Sequence, residues 1–445
     1  LVVAADEGVM PQTREHLSIV RLLGVHRLAV ALTKSDLVEG EWLELVEEEV
    51  GELLESTPYA RAPIHAVSSL TGQGLEELGD ALANLGREAE EKGTDDVARL
   101  PIDRVFTIKG AGTVVTGTLW TGQLQEGGRV QILPGPQDAR IRSMQVHGQE
   151  VPIGRAGARV AVGLSGSRVG YQDINRGQVL VEGDGWEPSW MLTCLLSLIP
   201  DSGWDLEQGQ RVRVHLGTSE VLARVAIFDQ DCLRSGEEGW AQLRLEEPVL
   251  ARVGDHLVFR SYSPVTTIGG GRVAEVLPRK RRHLAGGEEN LLAARLSDSP
   301  DTALESLLQM SGWEGASVAS LPHRTGYSPS SLQGARKRLA GDKKISEVDD
   351  RLFSGGIWRE GKERILSALA RYHDLKPHKP GIPLEELRQV LPGDLGPKLS
   401  EAILQRLSEE SRIQLKKGMG FLAGFRPSLT KRQEAARGRL RSILG

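Results

Sequence analysis

Residues 101–120, PIDRVFTIKGAGTVVTGTLW, constrain this chain more than any other stretch. Two runs rich in Val, Ile, Phe and Thr flank Gly110-Ala111-Gly112. Branched and aromatic side chains of this kind suit a pleated surface better than a helix, so the pattern predicts a β-hairpin with a glycine-bearing turn. Periodicity alone requires no more than a structural hairpin in a β-barrel. Its surroundings agree: residues 99–182 and again 188–278 alternate short β-runs with Gly, Pro and Asp turns, which fits two barrels of six or seven strands joined by a linker at Gly183-Asp184-Gly185.

The flanking regions follow different rules. In residues 1–92 short apolar runs at 1–5, 28–32 and 64–67 alternate with helical patterns, the signature of parallel βα units. Leu75, Leu78 and Leu82 fall on one face of the last of these helices. Ligands in such sheets sit at the C-terminal strand ends, where the chain places Thr33-Lys34-Ser35-Asp36 and Ser68-Ser69-Leu70. Beyond the basic stretch 279–282 helical spacing takes over, with helices expected at 288–296, 303–310 and 330–339 and then a β-ribbon carrying Ile345 and Phe353. A second set follows at 362–372, 384–390 and 398–408 with a ribbon carrying Ile413 and Phe421. Ile345 and Ile413 lie 68 residues apart, so the pattern predicts tandem α+β winged helices at 283–357 and 358–426 and the start of another at 427–445.

A length of 445 residues suits roughly two to four domains. No apolar run is long enough to span a bilayer, which predicts a soluble protein without a membrane partner. Cys194 and Cys232 are the only cysteines, too few for a disulfide framework or a zinc site, so both read as small apolar residues and no metal ligands are expected. A cytoplasmic setting follows most simply. Residues 1–278 carry 25 basic against 40 acidic side chains, a net −15, whereas residues 279–445 carry 30 against 20, a net +10. The basic third suggests phosphate backbone as a ligand, with a solvated basic surface as the rival reading. Arg336, Lys337 and Arg338 fall on the third helix of the first winged module, the helix such modules commonly use for nucleic acid. The chain opens without Met and partway along a strand, and 430–444 begins a basic helical pattern with no apolar partner, so both ends read as truncations.

The spelling of 101–120 resembles the opening hairpin of the second domain in translational GTPases of the elongation factor Tu type, and the likeness runs from residue 1 to about 278. Arg104, Arg159 and the winged extension resemble one branch, the selenocysteine-specific elongation factors. The resemblance implies a partial α/β P-loop-type GTPase domain at 1–92, β-barrels at 99–182 and 188–278, and winged helices after them. Thr33-Lys34-Ser35-Asp36 is similar to the Asn-Lys-x-Asp guanine motif, with the Thr that this branch uses, and Ser68-Ser69-Leu70 to the second guanine motif. Thr33, Lys34, Asp36, Ser68, Ser69 and Leu70 are thereby implied in GTP or GDP binding: a carboxylate at Asp36 would accept two hydrogen bonds that adenine cannot supply. The lysine stem would lie along the base. Likewise Asp103, Arg104, Phe106, Thr116 and Arg159 are implied in a pocket for the aminoacyl end. Two arginines stand where the wider family has an acid and an amide, and cationic donors would favour an ionised selenol over a serine hydroxyl through charge-assisted hydrogen bonds. Asp103 would either fix Arg104 as a counter-charge or accept from the α-amino group. Thr266 to Val273, with three consecutive glycines, resembles the end of the family's third domain and reads as a bulge or close backbone approach.

No G-x-x-x-x-G-K-[ST] occurs in the chain, so phosphate cradling, Mg2+ ligation and water positioning are not expected of these residues, and no catalytic residue is assigned. The complete parent is expected to bind GTP with Mg2+, carry selenocysteinyl-tRNA to the ribosome at recoded UGA codons, and grip an mRNA hairpin through further winged helices. Two rivals stand beside this: an ordinary aminoacyl-tRNA elongation factor, and a non-catalytic nucleic-acid-binding adaptor of barrels and winged helices.

Overall fold

Apolar runs with no alternation need burial on both faces, and the first three become parallel strands Val2–Ala4, Val30–Thr33 and Ile64–Ala66, with Val30–Thr33 in the middle. Parallel neighbours require crossovers, which helices Pro11–Leu22 and Gly40–Glu55 supply. Their apolar stripes meet the sheet around Val3, Leu17, Val30, Leu32, Val50 and Leu54. Helix Leu75–Glu88 differs: Leu75 and Leu82 are 44% and 55% exposed and the helix buries no residue. Helical spacing selects the face available for burial, but only a neighbouring element can bury it.

The computed structural model describes residues 1–89, 93–108, 112–135, 137–166, 170, 172–200, 202–394, 396–429 and 431–444, and their contacts separate into two units, Leu1–Glu289 and Asn290–Gly445. Within the first unit the expected hairpin pairs Arg104–Ile108 with Gly112–Thr118, Arg104 opposite Thr116 and Ile108 opposite Gly112. Its turn residues Gly110 and Ala111 lie outside the described residues. The hairpin ends an eight-stranded antiparallel sheet ordered Arg99–Pro101, Val179–Val181, Arg129–Leu133, Gln137–Val146, Arg159–Ser165, Gly112–Thr118, Arg104–Ile108, with Gln149–Glu150 attached to Gln137–Val146. Arg99 also bridges Thr121, so the sheet curls back on itself round a core that includes Leu100, Ile102, Val115, Ile132 and Val162. The six strands Ser189–Leu198, Glu238–Val249, Ser219–Ile227, Arg211–Leu216, His256–Ser261 and Thr267–Val276 close into a second barrel. Strand counts differ from the expected six or seven only in the first, because short ribbons such as Gln149–Glu150 carry too few apolar residues to announce themselves.

The glycine run has a packing reason. A Cβ on Gly269 would stand 2.6 Å from Ser197 O, and one on Gly271 2.4 Å from Leu195 O. Gly270 faces Leu22 of the first helix, whose Cβ would be 2.9 Å away. The run thus lets one strand press against its neighbours and lets the α/β part seat on the barrel. Around that seam Glu15 accepts from Thr267 Oγ1 at 2.7 Å and from Arg260 Nη2 at 3.3 Å, and His256 Nδ1 meets Leu22 O at 2.9 Å. The two barrels are joined by Arg99 with Asp255 at 2.6 and 2.7 Å and by Arg252 with Asp96 at 2.7 and 3.0 Å. Between them Gly183 and Asp184 of the expected linker are exposed, while Trp186 just beyond it is buried against Val179, Val181 and Leu250. Cys194 is fully buried, which pushes its thiol pKa up, while Cys232 is half-buried.

In the second unit, helices Pro300–Ser311, Leu321–Thr325 and Pro329–Gly341 pack with the sheet Ala316–Ser317, Arg351–Ser354, Ile345–Val348. Helices Gly355–Leu375, Leu384–Arg388 and Gly396–Glu409 repeat the plan with Ile382–Pro383, Met419–Leu422 and Ile413–Lys416. Periodicity could not reveal the two-residue strands, nor that Leu321–Thr325 is the module's second helix. Ser354 caps helix Gly355–Leu375 by accepting from Ile357 N, so this helix begins before the 357/358 division drawn from sequence. Phe353 packs into the core of the second module. A final helix spans Lys431–Leu444.

Candidate guanine and aminoacyl sites

Strand Val30–Thr33 ends in a tight reversal. Lys34 takes φ of 59°, a left-handed conformation that costs a non-glycine residue free energy, and Ser35–Leu37 forms one 3-10 turn. The side chains then part company. Thr33 Oγ1 donates to Val3 O at 3.3 Å, so its hydroxyl ties the neighbouring strand. Lys34 Nζ is held by Asp6 at 3.0 and 2.9 Å, and this hydrogen bond, with the charges of Asp6 and Glu7, raises the lysine pKa above its ordinary value. Asp36 is exposed and has no partner among the described residues. Its carboxylate is available to a ligand.

The second loop is held beside the first, because Ser35 N donates to Val67 O at 3.2 Å. Ser68 is fully buried and its Oγ accepts from Leu70 N and Thr71 N at 3.2 and 3.1 Å. Of the three loop residues expected to meet a base, Ser69 alone keeps an uncommitted N–H among the described residues. Ser68 shapes the loop, and Leu70 offers only a side chain that is 83% exposed. Sequence reading did not single out Asp6, although an acid just past the C-terminal end of the adjacent strand was the available signal.

Directly opposed residues share a face of a sheet. Arg104 opposite Thr116, Phe106 opposite Val114, Thr116 opposite Ala161 and Arg159 opposite Thr118 therefore place Arg104, Phe106, Thr116 and Arg159 on one outer face. Asp103 sits at its edge. Its carboxylate accepts Arg159 Nη1 at 2.5 Å and Nη2 at 2.9 Å and Thr116 Oγ1 at 2.7 Å. Burial alone would raise the Asp103 pKa, but the hydrogen bonds from Arg159 and Thr116 and the charges of Arg159 and Arg104 outweigh it and hold the carboxyl below its ordinary value. The expected counter-charge role is corrected: Asp103 fixes Arg159, not Arg104, because the two strands flanking Thr116 bring Arg159 within reach while Arg104 points outward, exposed and without a partner among the described residues.

Comparison with known proteins settles the family. Residues 1–87 match the elongation factor Tu GTP binding domain, 112–181 elongation factor Tu domain 2, 196–280 the β-barrel domain of the selenocysteine-specific elongation factor, and 366–419 the winged helix of elongation factor SelB. The selenocysteine-specific elongation factor of Desulfomicrobium baculatum is 37% identical over 441 residues, covering 98% of this chain and 69% of that protein. The chain belongs to the selenocysteine-specific elongation factors. Its Escherichia coli K12 relative is 30% identical, with 98% and 67% covered. The crystal structure of a bacterial selenocysteine-specific elongation factor superposes with a TM-score of 0.75 at 25% identity, covering all of this chain and 69% of the other. Membership places the selenocysteine factor in a GTPase family and implies guanine-nucleotide binding by its first domain. The ordinary elongation factor and the bare adaptor are thereby set aside as family assignments.

The two loops offer an acceptor in the Asp36 carboxylate and a donor in the Ser69 N–H, a combination compatible with the edge of a guanine base. Among the described residues no group of three or more His, Cys, Asp or Glu side chains is placed to hold a metal ion. No described helix is long and apolar enough to cross a membrane. On the third helix of the first winged module, Arg336 pairs with Glu347 at 2.8 Å and Arg338 with Asp301 at 2.5 Å. Lys337, between them, is exposed and has no partner among the described residues.

Proposed function

We propose that this chain is the part of a selenocysteine-specific elongation factor that reads the guanine base, holds the aminoacyl end of selenocysteinyl-tRNA and begins the arm toward mRNA. Asp36 and Ser69 N–H meet the base, Lys34 lies along it, and Thr33, Ser68 and Leu70 shape the two loops. Asp103, Arg104, Phe106, Thr116 and Arg159 form the aminoacyl pocket. The observation that carries this reading is the outer hairpin face on which Arg104, without a partner among the described residues, stands beside an arginine and an acid already oriented by Thr116. An ionised selenol finds charge-assisted donors there, worth roughly tenfold or more each. A serine hydroxyl does not.

Delivery to the ribosome at recoded UGA codons, in the cytoplasm, follows from the family, as does contact with an mRNA hairpin through winged helices beyond these two. GTP hydrolysis with Mg2+ belongs to the complete protein, because phosphate cradling and water positioning need residues this chain does not carry. Magnesium-dependent GTP turnover by the purified chain would contradict that division. The pocket is tested in full-length protein by replacing Arg104 with Ala: selenocysteinyl-tRNA should lose about tenfold or more affinity relative to seryl-tRNA on the same tRNA body. Equal losses would reduce Arg104 to a barrel or tRNA-backbone contact.

A further inference from the structure

The one acid of the aminoacyl pocket is already occupied. Both Asp103 oxygens accept from Arg159, and Oδ1 also accepts from Thr116. An α-amino ester with an ionised selenol brings one cation and one anion, the complements of the two halves of this pair. Building on the pocket reading above, we infer that Asp103 and Arg159 form an exchangeable ion pair, which opens when the ligand ammonium takes Asp103 and its selenolate takes Arg159.

The exchange conserves charge pairing. Before binding there is one ion pair and an Arg104 without a partner among the described residues; afterwards the carboxylate faces the ammonium, and the selenolate faces Arg159 and Arg104. A ligand with only one of the two charges cannot complete it. A blocked amine leaves Asp103 competing with the selenolate for Arg159, and a neutral hydroxyl offers Arg159 nothing in return for Asp103, so the pair stays closed. Arg159 is 52% exposed and Asp103 only 23%. The arginine is therefore the mobile partner: water can solvate it as it swings, while Thr116 keeps the carboxylate in place. Thr116 acts through Asp103 and is a positioning residue. Because the exchange needs both ends of the ligand, recognition of the ammonium and of the selenolate becomes cooperative, which two independent contacts would not be.

The test compares four ligands on one tRNA body bound to full-length protein with a GTP analogue: selenocysteinyl and seryl esters, each with a free or an N-acetylated amine. Exchange predicts that acetylation weakens the selenocysteinyl ligand about tenfold or more beyond its effect on the seryl ligand. Asp103→Asn should abolish that excess and Thr116→Val should reduce it, whereas Arg159→Lys should retain part. The wild-type comparison needs no variant to fold. Equal acetylation penalties, with selenocysteinyl still preferred over seryl, would overturn the exchange and leave the pocket assignment intact. No preference between the unblocked ligands would overturn both.

Discussion

Asp36 illustrates how much one carboxylate is asked to do. It is exposed, has no partner among the described residues, and lies two positions after Lys34, which is held at φ of 59°, so its orientation comes from the backbone rather than from a side-chain bond. Asp36→Asn exchanges an acceptor for a donor and should move preference from guanosine toward xanthosine nucleotides in the full-length protein. A fluorescence titration showing unchanged GTP affinity would remove it from the site. The acid at Asp103 behaves differently, because it already has strong donors. Its folded pKa lies below the ordinary carboxylate value, so the stability it contributes is complete above roughly pH 4 and is lost as pH falls through the lower, folded value. Asp103→Asn should flatten the acid limb of the barrel's unfolding curve in that window. Arg99 and Asp255 form a third kind of pair, side chains 6% and 7% exposed. Removing one partner strands a buried charge, so Asp255→Ala should cost roughly 3–5 kcal/mol, measured as a drop in the denaturation midpoint of the barrels.

At the scale of elements the seam between helix Pro11–Leu22 and the second barrel is the most informative. Gly270 lets the helix approach, Glu15 bonds Thr267 and Arg260, and His256 meets the carbonyl of Leu22. Burial lowers the His256 pKa despite that carbonyl. The unfolded chain therefore takes up its proton first, and stability should decline as pH falls below about 6.5 until the folded value is passed. His215, lowered chiefly by burial as well, adds to the same slope. His256→Gln should make the midpoint less dependent on pH between 7.5 and about 5.5, and an undiminished slope would place the titration elsewhere. In the barrel strand itself Gly271→Ala would put a methyl 2.4 Å from a backbone oxygen, which nothing flexible can relieve, and should destabilise by at least ~1–3 kcal/mol.

Across the whole molecule charge is distributed unevenly, but net charge overstates what the basic third presents. Of its cations, Arg336, Arg338, Lys344, Lys362, Arg388 and Lys398 are all engaged by acids. The +10 of residues 279–445 should still give salt-sensitive, non-specific RNA binding. Discrimination should be weak: a recoding hairpin and a scrambled hairpin of equal length should differ by less than roughly tenfold at near-physiological salt, where specific sites gain roughly 10³ or more. A hundredfold preference would mean that Lys337 or the second module reads RNA directly.

Residue order alone determined the sequence of folds in this protein, because each has its own period: uninterrupted apolar runs for the parallel sheet, β-branched runs with glycine turns for the barrels, and helical stripes ending in a ribbon for each winged module. It also located the two strand-end loops for which guanine binding is proposed, since ligand loops in such sheets follow strands, and the hairpin whose spelling resembles the family. What it could not supply were relations between residues far apart in the chain. That Asp103 fixes Arg159 rather than its neighbour Arg104, that Ser68 is spent inside its loop while Ser69 keeps its N–H, that Asp6 holds Lys34, and that helix Leu75–Glu88 buries none of its leucines all depend on which elements lie side by side. Periodicity records how a segment can be buried, whereas strand register and domain seating decide which donor reaches which acceptor, and only the tertiary structure contains them.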